Sequence, residues 1–444
     1  MTAGVVSARK RPFGLDFQPL RATELDIESL DAAIGDAAPN AFAFLERLVA
    51  SPSVVGDEAP AQAIVAEELE RLGFDVEEIS IPEDIDDDPA AGVPQTSYEG
   101  RRNVVGRSSG SGGRSLLLNG HVDVVPPSEP ELWTSPPFAP TRRDGWLLGR
   151  GAGDMKGGFA MAFLAIDGLV RADPTALSGQ LAFASVIEEE CTGNGTLAAG
   201  RAGVVADAVV LPEPTELSLL LAGVGILWLD VTVEGRAAHA QSADRTTNPV
   251  DAAIPVIAAL RDFEREMNAD VVDPVFDGVD HPYNVNIGRL RAGDWPSSVP
   301  ALARIGVRIG HPTAWTTDEA ERRVRDAIAT AADANGWLAE HPPTLRRAGF
   351  RAQGYAIARD DPLVEALADA HASVLGSRPA LVAMGSTTDA RYYLNQFGIP
   401  AVCYGPRARN IHGVDEAVEL SSIVDGARSL ARFMARWFAD EPEP

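Results

Sequence analysis

Four apolar segments run straight into polar clusters: "SLLLNG" ending at Gly120, "LAFASVI" ending at Ile187, "DAVVL" ending at Leu211 and "IPAVCYG" ending at Gly405. Helical stretches lie between them, among them "GGFAMAFLAIDGLVRA" and the run that "GTLAAGRAG" begins. Strand, loop and helix in repeated order demand an α/β sheet with helices on its faces. In such sheets ligands gather outside the carboxyl ends of the strands. The alternation therefore predicts both an architecture and the edge on which to look for chemistry.

The texture changes near residue 223. "GILWLDVTVEGRAAHA" reads as one long alternating strand, "PVDAAIPVIAALRDFEREM" as an amphipathic helix, and "YNVNIGRLRAG" and "ALARIGVRIGH" as two further strands before the helix "TDEAERRVRDAIATAADANG". That β-α-β-β-α order predicts a smaller α+β domain with an antiparallel sheet. The first texture then returns, with a helix over 361–376 and a final one over 421–438. Upstream, residues 40–73 read as two helices parted by a Ser-Pro turn. The expected division is an N-terminal extension over 1–35, an α/β domain in two parts over 36–223 and 346–444, and an inserted domain over 224–345.

Charge narrows the function classes. Among 444 residues, 38 basic and 64 acidic side chains leave a net charge of −26, which argues against a nucleic-acid or anionic-membrane partner. Two cysteines, Cys191 and Cys403, support neither a disulfide framework nor a cysteine-rich metal site. Cys191 reads as lining near an acidic loop and Cys403 as core. "MTAGVVSARKRPFGLDF" has basic residues with no apolar stretch after them, and no apolar run is long enough to span a bilayer. A soluble cytoplasmic protein is expected. "GRGAGDMKGG" lacks the G-x-G-x-x-G spacing of a dinucleotide loop, so a redox or nucleotide-binding reading is rejected.

The polar clusters are His121 with Asp123, Asp154, the run Glu188-Glu189-Glu190, Glu213, and His412. Singly, each has a bland explanation: a satisfied core histidine, a turn-forming aspartate, a solvated glutamate run. Jointly they bring two imidazoles and several carboxylates to one sheet edge, the donors that borderline cations such as Zn²⁺ take. Buried polar groups need partners, and a metal ion is such a partner. These residues predict a metal site, with two ions.

Taken together, "GHVDVVP", "WLLGRGAGDMKGG", "EEECTGNGT", "LPEPT", "VEGRAAHA", "GSTTDARYY" and "RNIHGVDEAV" resemble the M20 family of co-catalytic metallopeptidases and deacylases, from about residue 40 to the C-terminus. The resemblance implies a zinc-exopeptidase-like catalytic domain, a mixed central sheet flanked by helices, interrupted by a lid and dimerisation domain. By it, His121 would bind one metal, His412 the other, Asp154 would bridge them, and Glu190 and Glu213 would complete the two ligand sets. Asp123 would orient the His121 ring, and Glu189 would be the general base. Glu188 stands where the family commonly has Asp; Gly195-Thr196 downstream sets Glu189 as base, and the rival register, Glu188 as base with Glu189 as ligand, stays open. His239 would reach a partner subunit's site and help hold the oxyanion, with Asn286 beside it. Arg308 would pair with a substrate carboxylate, although "GVRIG" departs from the commoner Asp-x-Arg. Ser386 and Thr387 would contact the amino-acid part of the substrate.

The implied function is hydrolysis of the amide bond of an N-acyl amino acid or related small amide. Two cations about 3.5–4 Å apart can share a water and make it hydroxide-like near neutral pH, and a carboxylate beside it can pass its proton to the leaving nitrogen. Zinc is the first expectation for both ions, with Co²⁺ or Mn²⁺ able to share such ligands. The expected partners are a small N-acyl amino acid or short peptide and a second copy of the chain, joined through the inserted domain. A dipeptidase, a deformylase or deaminase of a small amine, and a non-catalytic binding homologue remain as alternatives.

Overall fold

The structure, a computed structural model, describes residues 26–110, 112–270 and 273–439. Helix Gly157–Ala172 is apolar from Gly157 through Leu169 except for Asp167, which pairs with Arg71 and Arg171, and that stretch is buried. It packs between helices Ile27–Ala50 and Leu420–Ala439. Phe163 ties the layers together, with its ring centroid 5.1 Å from Phe44 and 4.6 Å from Phe183 of the sheet. At the start of this helix Gly158 has no substitute, because a Cβ there would sit 1.8 Å from the Pro212 carbonyl oxygen. That close approach presses the helix onto the strand end that carries Glu213.

The large sheet is mixed. Its strands run in the order Asp75–Ser80, Arg102–Arg107, Gln180–Val186, Ser115–His121, Ala208–Leu211, Ala401–Cys403, Leu219–Gly223, Tyr355–Ala356, and Leu381–Met384 also pairs with Leu219–Gly223. Ser115–His121 is parallel to both Gln180–Val186 and Ala208–Leu211, and Ala401–Cys403 is parallel to Ala208–Leu211. Four adjacent strands therefore end on one edge, and the polar clusters follow those ends.

A separate four-stranded antiparallel sheet has the order Val285–Ala292, Leu302–His311, Gly225–Glu234, Thr344–Ala352. Leu227, Leu229 and Val231 point to one face, where they form a core with Val256, Leu260, Val324 and Ile328 from helices Pro249–Asp270 and Thr317–Asp333.

Three expectations change. The first helix begins at Ile27, so residues 27–35 belong to it and not to an extension; Asp26 caps it, and Pro39 lies inside it. The buried stripe of Leu30, Ile34, Ala37, Ala38 and Ala41 outweighs the proline. The inserted sheet has a fourth strand, Thr344–Ala352, that crosses the expected limit at 345; its exposed Arg346 and Arg347 hid the strand alternation. The strand over "GILWLDVTVEGRAAHA" stops at Glu234, and Ala238–His239 pairs instead with Ser298–Val299. Among the described residues no helix is long and apolar enough to cross a membrane.

Candidate metal centre

His121 is the last residue of its strand and is buried. Its Nδ1 lies 2.9 Å from the Asp123 carbonyl oxygen, which sets a proton on Nδ1 and turns Nε2 toward the carboxylates. Nε2 stands 3.1 Å from the Asp154 carboxylate and 3.9 Å from both Glu189 and Glu213. Across the cluster, His412 Nε2 is 3.0 Å from Glu190 and 3.5 Å from Asp154. Asp154 thus sits between two imidazoles. Ligand atoms of His121, Asp154 and Glu190 all lie within 4.8 Å of one another, a grouping able to hold a metal ion.

The Asp123 carboxylate is not the group at hydrogen-bond distance from the His121 ring, since it lies 3.7 Å from Nδ1. It accepts instead from the backbone N–H groups of Glu189 and Glu190, at 3.2 and 3.1 Å. Orientation of the imidazole comes from the carbonyl of the same residue, because the carboxylate is occupied with the loop that follows the Gln180–Val186 strand.

Glu188 faces away from this cluster. Its carboxylate accepts from Tyr98 Oη at 2.6 Å, Arg101 Nη1 at 2.6 Å and Thr192 Oγ1 at 2.8 Å. Its backbone adopts a left-handed φ of 65°, and its carbonyl accepts from the N–H groups of Thr192 and Gly193 at 3.0 and 2.7 Å. The turn sends Glu189 and Glu190, not Glu188, into the cluster.

Charge compensation separates this cluster from ordinary buried acids. Glu188 is neutralised by Arg101, and Glu416 by Arg150. Among the described residues no Lys or Arg pairs with Asp123, Asp154, Glu189, Glu190 or Glu213; their ionic contacts are to the two histidines. Burial lifts the Asp123 and Glu213 carboxyls to about 8 and Glu189 well above the carboxylate range. Burial opposes charge on His121, but Asp154, Glu213, Glu189 and Asp123 hold its pKa well above the ordinary value. Glu190, with Asp154, lifts His412 to about 11. The cluster is short of positive charge, and its oxygen and nitrogen donors fit divalent cations.

The resemblance also extends to Met155 and Lys156 and implies an unusual peptide conformation at Asp154–Met155, whereas Glu416 was not singled out. Glu416 accepts from the Gly153 and Asp154 N–H groups, each at 2.9 Å, and so fixes the Asp154 backbone. The Asp154–Met155 peptide bond is cis. Lys156 is buried and donates to the Leu48 and Ser51 carbonyls at 2.9 and 3.0 Å. Arg101 and Tyr98 lie far upstream in sequence from Glu188, and no local pattern marks them.

A cavity of about 610 Å³ opens on the cluster, lined by Asp154, Glu189, Glu190, Glu213 and His412 on one side and by Asn286, Arg308, Ser386 and Thr387 elsewhere on its wall. Arg308 donates to the Gly385 carbonyl at 3.0 Å. His239 is exposed and does not line this cavity within the single chain. Cys191 and Cys403 are both buried free thiols, the second in the core of the large sheet.

The chain is 32% identical over 426 residues to a succinyl-diaminopimelate desuccinylase of Methylobacterium sp. (strain 4-46), covering 91% of this chain and 98% of the relative. It is 27% identical over 404 residues to the N-formyl-4-amino-5-aminomethyl-2-methylpyrimidine deformylase of Bacillus subtilis, covering 86% and 90%. Its fold matches the di-peptidase Dug1p of Saccharomyces cerevisiae with a TM-score of 0.80 at 16% identity, over 95% of this chain and 100% of that one. Residues 117–436 match the model of peptidase family M20/M25/M40, and the chain belongs to that family.

Proposed function

We propose that this protein is a dinuclear metal-dependent amidohydrolase that cleaves the amide bond of an N-acyl amino acid or related small amide. The observation that carries this reading is a set of five carboxylates, Asp123, Glu189 and Glu213 buried and Asp154 and Glu190 half-buried, with no Lys or Arg partner among the described residues, gathered with two imidazoles beside one cavity. His121, Asp154 and Glu213 would hold one ion, and His412, Asp154 and Glu190 the other, with Asp154 shared. When bound, two divalent cations supply Lewis-acid polarisation of the scissile carbonyl and acidify water toward neutral pH.

The chain's own residues do the rest. Glu189 takes the proton of the attacking water and passes it to the leaving nitrogen, and its carboxylate lines the cavity beside the cluster, where it can reach both. Asp123 and the Glu188 turn keep Glu189 clear of the ligand positions by fixing its backbone. Arg308 receives the substrate carboxylate. His239, exposed on the inserted domain, supplies an oxyanion donor from a second copy of the chain, so the active unit is a homodimer. Two free buried thiols and no disulfide suit a reducing, cytoplasmic setting.

The test is turnover of a substrate panel by zinc-, cobalt- or manganese-loaded protein: N-acetyl, N-formyl and N-succinyl amino acids, with dipeptides. Hydrolysis of an acyl amino acid by the loaded protein and loss of turnover on chelation are expected. No hydrolysis of any member above background would refute the proposal. Glu189→Ala should abolish turnover with metal content unchanged; loss of metal would instead assign Glu189 to the ligand set.

A further inference from the structure

One face of the antiparallel sheet roofs the cavity. Register places Asn286 opposite Arg308, Arg308 opposite Trp228, and Trp228 opposite Ala348, a single row across four strands, and all four residues line the cavity. Adjacent strands lie about 4.8 Å apart, so the row changes character over that distance. Its polar half is Asn286 and Arg308. Its apolar half is Trp228, packed edge-on against Phe350 with ring centroids 5.3 Å apart. Met384 and Ile411, 36% and 39% exposed, also line the cavity.

The charges are equally informative. Apart from His412, the only cations lining this cavity among the described residues are Arg289 and Arg308. Arg289 is neutralised by Asp230 at 2.8 Å. Arg308 has no carboxylate partner among the described residues and is bound only to the Gly385 carbonyl. The roof therefore offers one uncompensated cation and, a single strand away, an aromatic surface.

We infer that the substrate is a monocarboxylate amide: an N-acyl amino acid with an aromatic or branched apolar side chain, seated on Trp228 and Phe350 with its carboxylate on Arg308. Carboxylate and side chain leave the same carbon, which matches one strand spacing between Arg308 and Trp228. A succinyl group, or an acidic amino-acid side chain, adds a second carboxylate, and the remaining arginine on this wall, Arg289, is already paired with Asp230. This inference rests on the amidohydrolase reading for the reaction, in which water adds across the C–N bond to release a carboxylic acid and an amine, but not for the binding.

Two measurements test it. Calorimetric titration of the full chain, without added metal, compares 3-phenylpropanoate with glutarate. The aromatic monoanion should bind about 10- to 100-fold more tightly, the range for burying one large apolar side chain, and Trp228→Ala should shrink that ratio to about threefold or less. Equal or inverted affinities would overturn the inference. With metal-loaded protein, N-acetylphenylalanine should exceed N-acetylglutamate and N-succinylphenylalanine in kcat/KM by a similar factor. Turnover with the acidic compounds preferred overturns the substrate class and leaves the amidohydrolase reading standing. Selective binding of 3-phenylpropanoate with no hydrolysis of any amide supports the aromatic subsite and overturns the amidohydrolase reading.

Discussion

Arg101→Met should damage catalysis through a residue that touches no substrate. Arg101 is 7% exposed and joins two buried carboxylates, Glu58 through Nε at 2.9 Å and Glu188 through Nη1 at 2.6 Å. Removing one partner of a buried ionic network costs about 3–5 kcal/mol. Glu188 keeps the Tyr98 and Thr192 hydroxyls and Glu58 keeps the Gly56 N–H, so a loss near the lower end, about 3 kcal/mol, is expected. Glu188 also holds a left-handed φ of 65°, a conformation that costs a non-glycine residue about 1–3 kcal/mol and persists only under external restraint. Without Arg101 the turn can relax, and Glu189 and Glu190 move with it. A displacement of about 1 Å at a reacting group can lower the rate about 100-fold. The assay is steady-state kinetics beside thermal inactivation on the purified, metal-loaded variant: kcat should fall about 100-fold with KM within about threefold. Adding Glu188→Gln removes one of the two stranded charges, Glu58 keeping the other, and should recover part of the thermal resistance without recovering kcat. If Arg101→Met lost stability yet kept full kcat, the positioning argument would be wrong.

Three further outcomes follow from the packing. His311 is fully buried, and burial depresses its pKa to about 4 against the carbonyls that partly offset it; the unfolded chain then binds more protons between about 6.5 and 4. Stability should therefore be intact above pH 6.5 and decline as pH falls toward 4, by up to about 3 kcal/mol, and His311→Gln should flatten that slope in melts across the window. Gly158→Ala places a Cβ 1.8 Å from the Pro212 carbonyl, so it should cost about 1–3 kcal/mol or more and lower metal content by moving Glu213, as read by denaturation and elemental analysis. Mixing inactive His239→Ala and Glu189→Ala proteins should restore turnover through hybrid dimers; no recovery in a mixture shown to exchange subunits would place His239 outside the partner's site.

The α/β class and the edge bearing the chemistry were readable because hydrophobic periodicity is local. "SLLLNG" announces a buried strand wherever it occurs, and its polar successor must then lie at a strand end. The same logic failed for Thr344–Ala352, whose exposed arginines conceal the period, and for the start of the first helix, which runs from Ile27 through Pro39 under packing on helix Gly157–Ala172. The six residues His121, Asp154, Glu189, Glu190, Glu213 and His412 were named from sequence as members of one cluster. Arg101, Tyr98, Arg150 and Glu416 were not, since a neutralising partner is defined by distance in space and carries no mark at its own position.

Composition and order along the chain determined which side chains arrive at the sheet edge, because parallel strands deliver their C-terminal residues to one side whatever the loops do. Tertiary structure decided which two of three consecutive glutamates enter the cluster, and which acids are left without a cation. Those outcomes depend on a guanidinium supplied from far upstream and on a strand spacing across another sheet. Such contacts are settled by packing in three dimensions, and no neighbour in sequence encodes them.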